Sequence, residues 1–571
     1  MCASNNFQYK VLSSMEKVLP GRTPSGDGAR RKLSALKGET VSFQIGYFWS
    51  FARKGRGSVK ASAPEGTTVR VRKVELVPCS YPCHLKRDGG YLVTEPALLP
   101  DLLTDIDDFG FPLVSGQWRS LWVDLEVSGD APAGCFPVRV ILEDRNGPSE
   151  NGDDPSNGIL ADVTVQLEVL NAQLPPLAIP HTEWFHADCL ADYYHVEVFS
   201  EEHWEIVENF VRTAVRRGCN MLLTPVFTPP LDTAVGGERR TVQLVDVTRC
   251  EDGTYRFGFD RFRRWVQMGL RCGIRYFEIS HLFSQWGAVA APKIEAWDWQ
   301  QGKGENRKIF GWDTDASGPE YSGFLRAFLD AFLPVLSELE ISDVCYFHIS
   351  DEPSQDQLSS YLAAKEIVGE QLKDYHLIDA LSSYEFYKTG AIKEPVCSLD
   401  HLEPFFKDRP EKLWTYYCTA QCVDVSNRFI ALPGYRTRVL GMQLYKYQID
   451  GFLHWGYNFY NSEYSLYPID PYQCTDSDGA FPSGDPFLVY PGKGGIPQES
   501  MRLMLLDESF SDLRAMYLLE QLSDRETVLN CLEEECRGAF TITEYPHTAE
   551  AQQRIRDNIN LAIRNLTGVK G

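Results

Sequence analysis

The chain has 571 residues, with 79 acidic against 56 basic side chains and a formal net charge of −23. No Lys/Arg-rich run offsets that balance, so nucleic-acid backbones and anionic membrane surfaces are poor partners and a neutral ligand suits it better. The length exceeds one ordinary core, and two or more domains are expected.

The first twenty residues, MCASNNFQYKVLSSMEKVLP, lack a basic segment followed by an apolar stretch, and no apolar run elsewhere is long enough to span a bilayer. A cytoplasmic protein is expected. The 15 cysteines are scattered without zinc-site spacing, since CTAQC at 418–422 is not C-x-x-C, and they read as free thiols in a reducing compartment. From about residue 38 to 170 the pattern has period 2. Leu121, Val123, Leu125 and Val127 alternate with Trp122, Asp124 and Glu126, and Val163, Val165, Leu167 and Val169 alternate with Thr164, Gln166 and Glu168. Half-buried antiparallel strands separated by turn-rich stretches predict a β-sandwich. The stretch DRNGPSENGDDPSNG within it reads as a mobile loop.

Prolines 175, 176 and 180 then mark a boundary, because they remove backbone donors and hold the chain extended. Beyond them eight apolar strand-like runs, from HTEWFHAD to DGFLHWGYNF, alternate with helical stretches such as FLRAFLDAFLPVLSELE. The expected architecture is therefore an N-terminal β-sandwich over residues 1–176, a (β/α)8 TIM barrel over 177–495, and a C-terminal helical segment over 496–571 packed on the barrel. Residues 295–320 form a long insertion after the third strand, where a lid would sit. GKGENRK and PGKGG match no phosphate-loop spacing, and neither a G-x-S-x-G elbow nor H-E-x-x-H is present, so no cofactor and no metal are expected.

The run VCYFHISDEP closes the fourth strand with Asp351 and Glu352 side by side before Pro353. Strand ends are where barrel chemistry is built, and two carboxylates without basic neighbours repel, so one pKa is expected to rise toward what a general acid needs. The plainer alternative has Asp351 capping the next helix and Glu352 pairing with an arginine. A classical retaining glycosidase needs two carboxyl groups facing each other about 5–5.5 Å apart, which neighbours on one strand do not provide. Either a nucleophile comes from another strand, with Glu352 as acid/base, or the substrate brings its own. A 2-acetamido group does the latter when a nearby carboxylate orients its N–H and stabilises the oxazolinium cation.

RYFEISHLFSQWGAVAAPKI, FHISDEP, GFLHWGYNFY and GDPFLVYPG, spread between about Pro180 and Gly495, resemble the motifs of glycoside hydrolase family 123 and its relatives. The resemblance implies a β-N-acetylgalactosaminidase with an N-terminal sandwich and a (β/α)8 barrel. It also implies that Asp351 assists the acetamido group and that Glu352 is the general acid/base.

The expected function is thus a retaining exo-glycosidase removing terminal β-linked N-acetylgalactosamine, with N-acetylglucosamine second, through an oxazoline intermediate. Its partner would be a glycan or small glycoside, and its state a monomer or homodimer. The alternatives are a classical retaining β-glycosidase, for which Glu385 is the candidate nucleophile, and a catalytically inert carbohydrate-binding barrel. For substrate binding the candidates are His281, Gln285 and Trp286 beyond the third strand, and Trp455 and Asn458 at the end of the eighth. Tyr416, chosen narrowly over its neighbours, and Tyr384 are candidate donors to the acetamido carbonyl. His186 and Asp188 at the end of the first strand are candidates for hydroxyl binding, with a structural hydrogen bond between them as the alternative. His348 reads as a buried histidine holding its strand.

Overall fold

The computed structural model describes residues 6–25, 32–51, 55–145, 158–300, 302–536 and 538–568. The core of the expected mobile loop, residues 146–157, lies outside them, as do residues 1–5. The chain forms two compact units: residues 1–178 with 422–448 and 498–571, and residues 179–421 with 449–497.

In the first unit two five-stranded sheets share one core. One sheet runs Phe7–Ser13, Thr40–Trp49, Trp118–Val127, Thr67–Cys79, Ala97–Asp105; the other runs Lys32–Lys37, Ile159–Gln173, Gly134–Asp144, Gly55–Ser62, Phe111–Leu113. Leu121, Val123, Leu125 and Val127 from the first sheet meet Val163, Val165, Leu167 and Val169 from the second, as period-2 alternation requires. The opposite face of the Trp118–Val127 strand is also buried. Trp122 packs among Met501, Met504 and Leu505 of the helix Met501–Leu522, and Asp124 accepts from the Trp122 indole at 2.5 Å and from Arg72 at 2.7 Å.

The second unit is built on a closed barrel of eight parallel strands: His181–Glu183, Met221–Thr224, Tyr276–Ile279, Cys345–Phe347, His376–Leu381, Glu394–Ser398, Trp414–Tyr416 and Gly451–His454. The closing pair aligns His181 with Phe452 and Glu183 with His454. This corrects the expected (β/α)8 TIM barrel, because the regular alternation with an outer helix ring is absent among the described residues. The fifth and sixth strands are followed by helices of only four and five residues, Glu385–Lys388 and Glu403–Lys407. The crossover from the seventh to the eighth strand runs through Cys422–Gln448, which belongs to the other compact unit. The second and third crossovers add strands of their own, which join in a four-stranded side sheet. Segments that short supply too few turns to cover a barrel face.

The barrel interior is filled by Met221, Leu223, Ile378, Ala380, Val396, Trp414 and Leu453. Trp414 fits because position 451, on the neighbouring strand, is glycine; a β-carbon there would collide with its indole. All eight strands run the same way, so their C-terminal ends open at one end of the barrel, which is where the candidate site lies.

Candidate active site

A cavity of about 220 Å³ opens at the C-terminal ends of the barrel strands, and Asp351 and Glu352 both line it. The fourth strand stops at Phe347, and the chain turns after it, with Glu352 in the left-handed region at φ 41°. Two backbone hydrogen bonds hold that turn: Trp286 N–H donates to the Asp351 carbonyl at 2.9 Å, and Glu352 N–H donates to the Ala380 carbonyl at 3.2 Å. The helical turn that follows is capped by Ser354, with Gln357 returning the bond, so Asp351 is not used as its cap.

Both carboxyl groups of the pair are shifted upward. Burial is the main cause for Asp351, followed by the charge of Glu352, with the nearby His348 opposing. Burial also raises Glu352, opposed by the hydroxyl of Tyr416, which donates to its Oε1 at 2.5 Å. Glu352 meets solvent through the cavity yet is surrounded by protein on its other sides. That combination suits a group that exchanges a proton with a ligand in a poorly solvated space.

Beneath the pair lies a buried ionic network. His348 sits between Glu278, 2.7 Å from its Nε2, and Asp379, 3.1 Å from its Nδ1. Glu278 also accepts from the Trp184 indole at 2.7 Å and from the Thr182 hydroxyl at 2.5 Å. Asp379 accepts from Tyr361 at 2.5 Å and from the N–H groups of Ile349 and Ser350. Burial alone would lower the His348 pKa, but the two carboxylates outweigh it and raise it to about 9. His281 stacks on this ring at 4.3 Å and is driven well below its ordinary value by burial and by the His348 charge. His281, His348 and Asp379 offer ligand atoms within 4.8 Å of one another. A divalent ion fits them poorly, because both His348 nitrogens already face carboxylates and the two imidazoles meet face to face.

The sequence model of the glycoside hydrolase 123 catalytic domain matches residues 184–519, which include this cavity. The chain belongs to glycoside hydrolase family 123. It is accordingly a glycosidase. Among solved structures, a family 123 glycoside hydrolase from Clostridium perfringens superposes with a TM-score of 0.71 at 14% identity, covering 99% of this chain and 98% of that one. AvmM, which catalyses macrocyclization in alchivemycin A biosynthesis, reaches 0.17 at 10% identity over 29% of this chain and 89% of its own. No curated protein matches.

Within this family 123 domain, Gln285, Trp286, Tyr416 and Trp455 line the cavity with the carboxylate pair. Gln285 fastens the facing loop by accepting from Asp232 N–H at 2.8 Å and donating to the Thr233 carbonyl at 3.0 Å. The Trp455 indole N–H is held by Asp485 at 2.9 Å, and its ring meets Phe481, another lining residue, edge on at 5.2 Å.

The other candidates stand behind the wall or away from it. Asn458 is fully buried and pairs with the backbone of His186 in both directions, at 2.9 and 3.0 Å. His186 bonds the Trp455 carbonyl at 2.9 Å, and burial followed by Arg239 lowers its pKa to about 4, so it is neutral. Asp188 forms a two-pronged ion pair with Arg239, both contacts at 2.8 Å. His186 and Asp188 are thus linked through Arg239, whose guanidinium also reaches His186 Nδ1 at 3.2 Å. Tyr384 stands outside the cavity lining and donates to Asp408 at 2.5 Å. Glu385 begins the short helix after the fifth strand and pairs with Lys388.

Sequence reading missed Asp232, Trp184, Phe481, Glu463 and Tyr464, all of which line the cavity. Asp232 has φ 38°, its Oδ2 accepts from Tyr464 N–H at 3.0 Å, and burial raises its pKa to about 6. It lies in FTPPLDTAVGG, whose prolines, glycines and aspartate read as an ordinary turn.

Proposed function

We propose that this glycosidase removes terminal β-linked N-acetylgalactosamine from glycans, with N-acetylglucosamine as the second choice, by substrate-assisted catalysis. One observation carries the reading: two of the carboxylates that line the cavity, Asp351 and Glu352, are chain neighbours, and both have raised proton affinity. In the proposed reaction the protonated Glu352 donates to the leaving oxygen while the acetamido carbonyl oxygen attacks the anomeric carbon. Asp351 accepts the acetamido N–H and stabilises the oxazolinium ion. Glu352 then takes a proton from water as the oxazoline ring opens, with retention of configuration. This reading needs Asp351 ionised beside a protonated Glu352: the His348 cation works toward the first against burial and the Glu352 charge, and burial works toward the second against the Tyr416 hydroxyl. Trp455 with Phe481 offers a floor for the sugar's apolar face, and Asp232 and Gln285 stand where hydroxyls would be read. The Clostridium perfringens hydrolase acts on glycolipid glycans, which supports a glycan substrate for this chain as well.

A classical retaining mechanism is the second reading, and Asp232, on another part of the cavity wall, is its better nucleophile candidate than Glu385. Aryl glycosides and inhibitors separate the two. Cleavage confined to acetamido sugars, with inhibition by an N-acetylgalactosamine thiazoline, supports the proposal. Cleavage of a plain β-galactoside, with labelling of Asp232 by a 2-fluoro sugar, refutes it. Glu352→Gln is expected to lower kcat on natural glycosides by roughly 10²–10⁴-fold. We infer a reducing, cytoplasmic setting from thiols such as Cys219, Cys345 and Cys397, and no helix among the described residues is long and apolar enough to cross a membrane.

A further inference from the structure

The insertion after the third barrel strand folds as two antiparallel strands, Ile294–Gln300 and Lys303–Phe310, within the side sheet that also contains Asp246–Arg249 and Tyr255–Gly258. Period 2 divides this sheet into two unlike faces. On the inner face Tyr255 and Phe257 pack edge on against Phe324 of the helix Pro319–Glu338, at 5.0 and 5.7 Å, and Asp298 is buried against Arg307 at 2.6 Å. The outer face carries Asp246 and Thr248 from one strand, Asn306 and Lys308 from another, and between them Trp297 and Trp299.

The two tryptophans are unlike the rest of that face. They remain 46% and 41% exposed, on a surface whose other side chains are polar. Their rings meet at 6.3 Å and 73°. Gly304 stands on the adjacent strand, where a β-carbon would collide with the Trp297 indole. The glycine therefore lets that ring lie down over the neighbouring strand, leaving its other face toward solvent. Beside it runs a groove of about 420 Å³ whose lining includes Phe199, Gln243, Asp246, Arg261 and Asn306, and it shares no residue with the catalytic cavity. Folding gains little from two half-exposed indoles on a polar sheet. A flat aromatic ring flanked by amide, carboxylate and guanidinium groups matches the two-sided chemistry of a sugar, apolar C–H on one ring face and hydroxyls around the rim. An acyl chain would want an apolar rim, and an anionic surface would want a basic one; the groove offers neither.

We propose that this outer face is a second saccharide-binding site. It holds a neutral pyranose against Trp297 and the adjoining unit of the same glycan against Trp299, with the groove's polar groups reading hydroxyls. Such a site would tether the enzyme to a glycan-dense surface and raise the local concentration of chain ends at the catalytic cavity. It depends on neither the substrate-assisted mechanism nor the identity of the sugar removed.

The test uses the full chain labelled with 5-fluorotryptophan, with the Trp297 and Trp299 resonances assigned by Trp297→Phe and Trp299→Phe. Titration with lacto-N-tetraose and with cellotetraose should shift these two resonances saturably. Gly304→Val, which pushes the indole off its seat, and Trp297→Ala should each abolish the effect while hydrolysis of a soluble aryl glycoside is retained. If only the cavity tryptophans respond to the sugars, the proposal is overturned. It is equally overturned if Trp297 and Trp299 respond to phosphatidylcholine vesicles and not to either oligosaccharide. On bead-immobilised glycans Trp297→Ala should turn over about tenfold more slowly than the parent at equal soluble activity; equal rates on the beads would remove the tethering role.

Discussion

His348 should be a cation at neutral pH, and the consequence for stability can be worked from its surroundings. Its two ring nitrogens face Glu278 at 2.7 Å and Asp379 at 3.1 Å, and despite complete burial its pKa rises from 6.5 to about 9. In the unfolded chain the ring titrates near its ordinary value. A folded pKa above the unfolded one means that the contribution to stability is full below about pH 6.5, declines as pH rises, and is gone above about 9. A gap of roughly 2.5 pH units at about 1.4 kcal/mol each gives a maximum of about 3–4 kcal/mol, an order-of-magnitude value for a buried ion pair. ¹⁵N-histidine NMR should show one imidazole with both nitrogens protonated through pH 8. Urea unfolding of the barrel unit should lose stability between pH 6.5 and 9, and His348→Gln should flatten that slope, separating this group from others that titrate in the window. An imidazole that deprotonates below pH 7, or a parent slope identical to that of the variant, would refute the reasoning.

Three further outcomes follow from the site and the core. Tyr416 donates to Glu352 and so favours its ionised form; Tyr416→Phe should therefore raise the Glu352 pKa and move the alkaline limb of kcat/KM to higher pH, read from a pH–rate profile. Asp232, with a pKa of about 6, should accept from a substrate hydroxyl more strongly when ionised, so KM should climb as pH falls through 6, and Asp232→Asn should leave KM raised and flat between pH 5 and 8. Gly451→Ala drives a methyl into Trp414 inside the barrel and should cost about 1–3 kcal/mol, seen as a lower urea midpoint.

The parts of this structure that were legible in the sequence are those governed by local periodicity. Leu121, Val123, Leu125 and Val127 announce a strand with one core face, and they occupy that core. The burial of Trp122 and Asp124 on the other face was not legible, because the helix covering them, Met501–Leu522, arrives almost 400 residues later. The barrel was misread for a related reason. Its strand-like runs repeat, but helical spacing between them does not reveal that Glu385–Lys388 and Glu403–Lys407 stop after about one turn, or that one crossover leaves for the other unit. Trp455, Trp286, Gln285 and Tyr416, read in the sequence as lying at or just beyond strand ends, line the cavity. Tyr384 looked equivalent, yet its chain turns into a helix and its hydroxyl goes to Asp408. Asp232 escaped because a carboxylate in a Pro/Gly loop is the commonest of turn residues.

Adjacent residues on an extended strand point to opposite faces, so a ladder running through Asp351 and Glu352 would have put one carboxylate into the cavity and the other into the wall. The chain avoids this by ending the fourth strand four residues early and placing Glu352 at φ 41°, a conformation a glutamate rarely adopts and that costs of order 1–3 kcal/mol. Two backbone bonds from different barrel segments, from Trp286 and to Ala380, hold the turn against that strain. Trp286 is itself at φ 59°, so the loop that fastens the pair is strained as well. A helix cap would not require this arrangement, since Ser354 supplies the cap in ordinary extended geometry. What the strain secures is two carboxyl groups on one side of one cavity, close enough that neither ionises without raising the other's proton affinity, with a buried cation beneath one and a tyrosine hydroxyl on the other. The cation favours an ionised Asp351 and the hydroxyl an ionised Glu352, so it is burial that opposes both and keeps proton affinity on the pair raised.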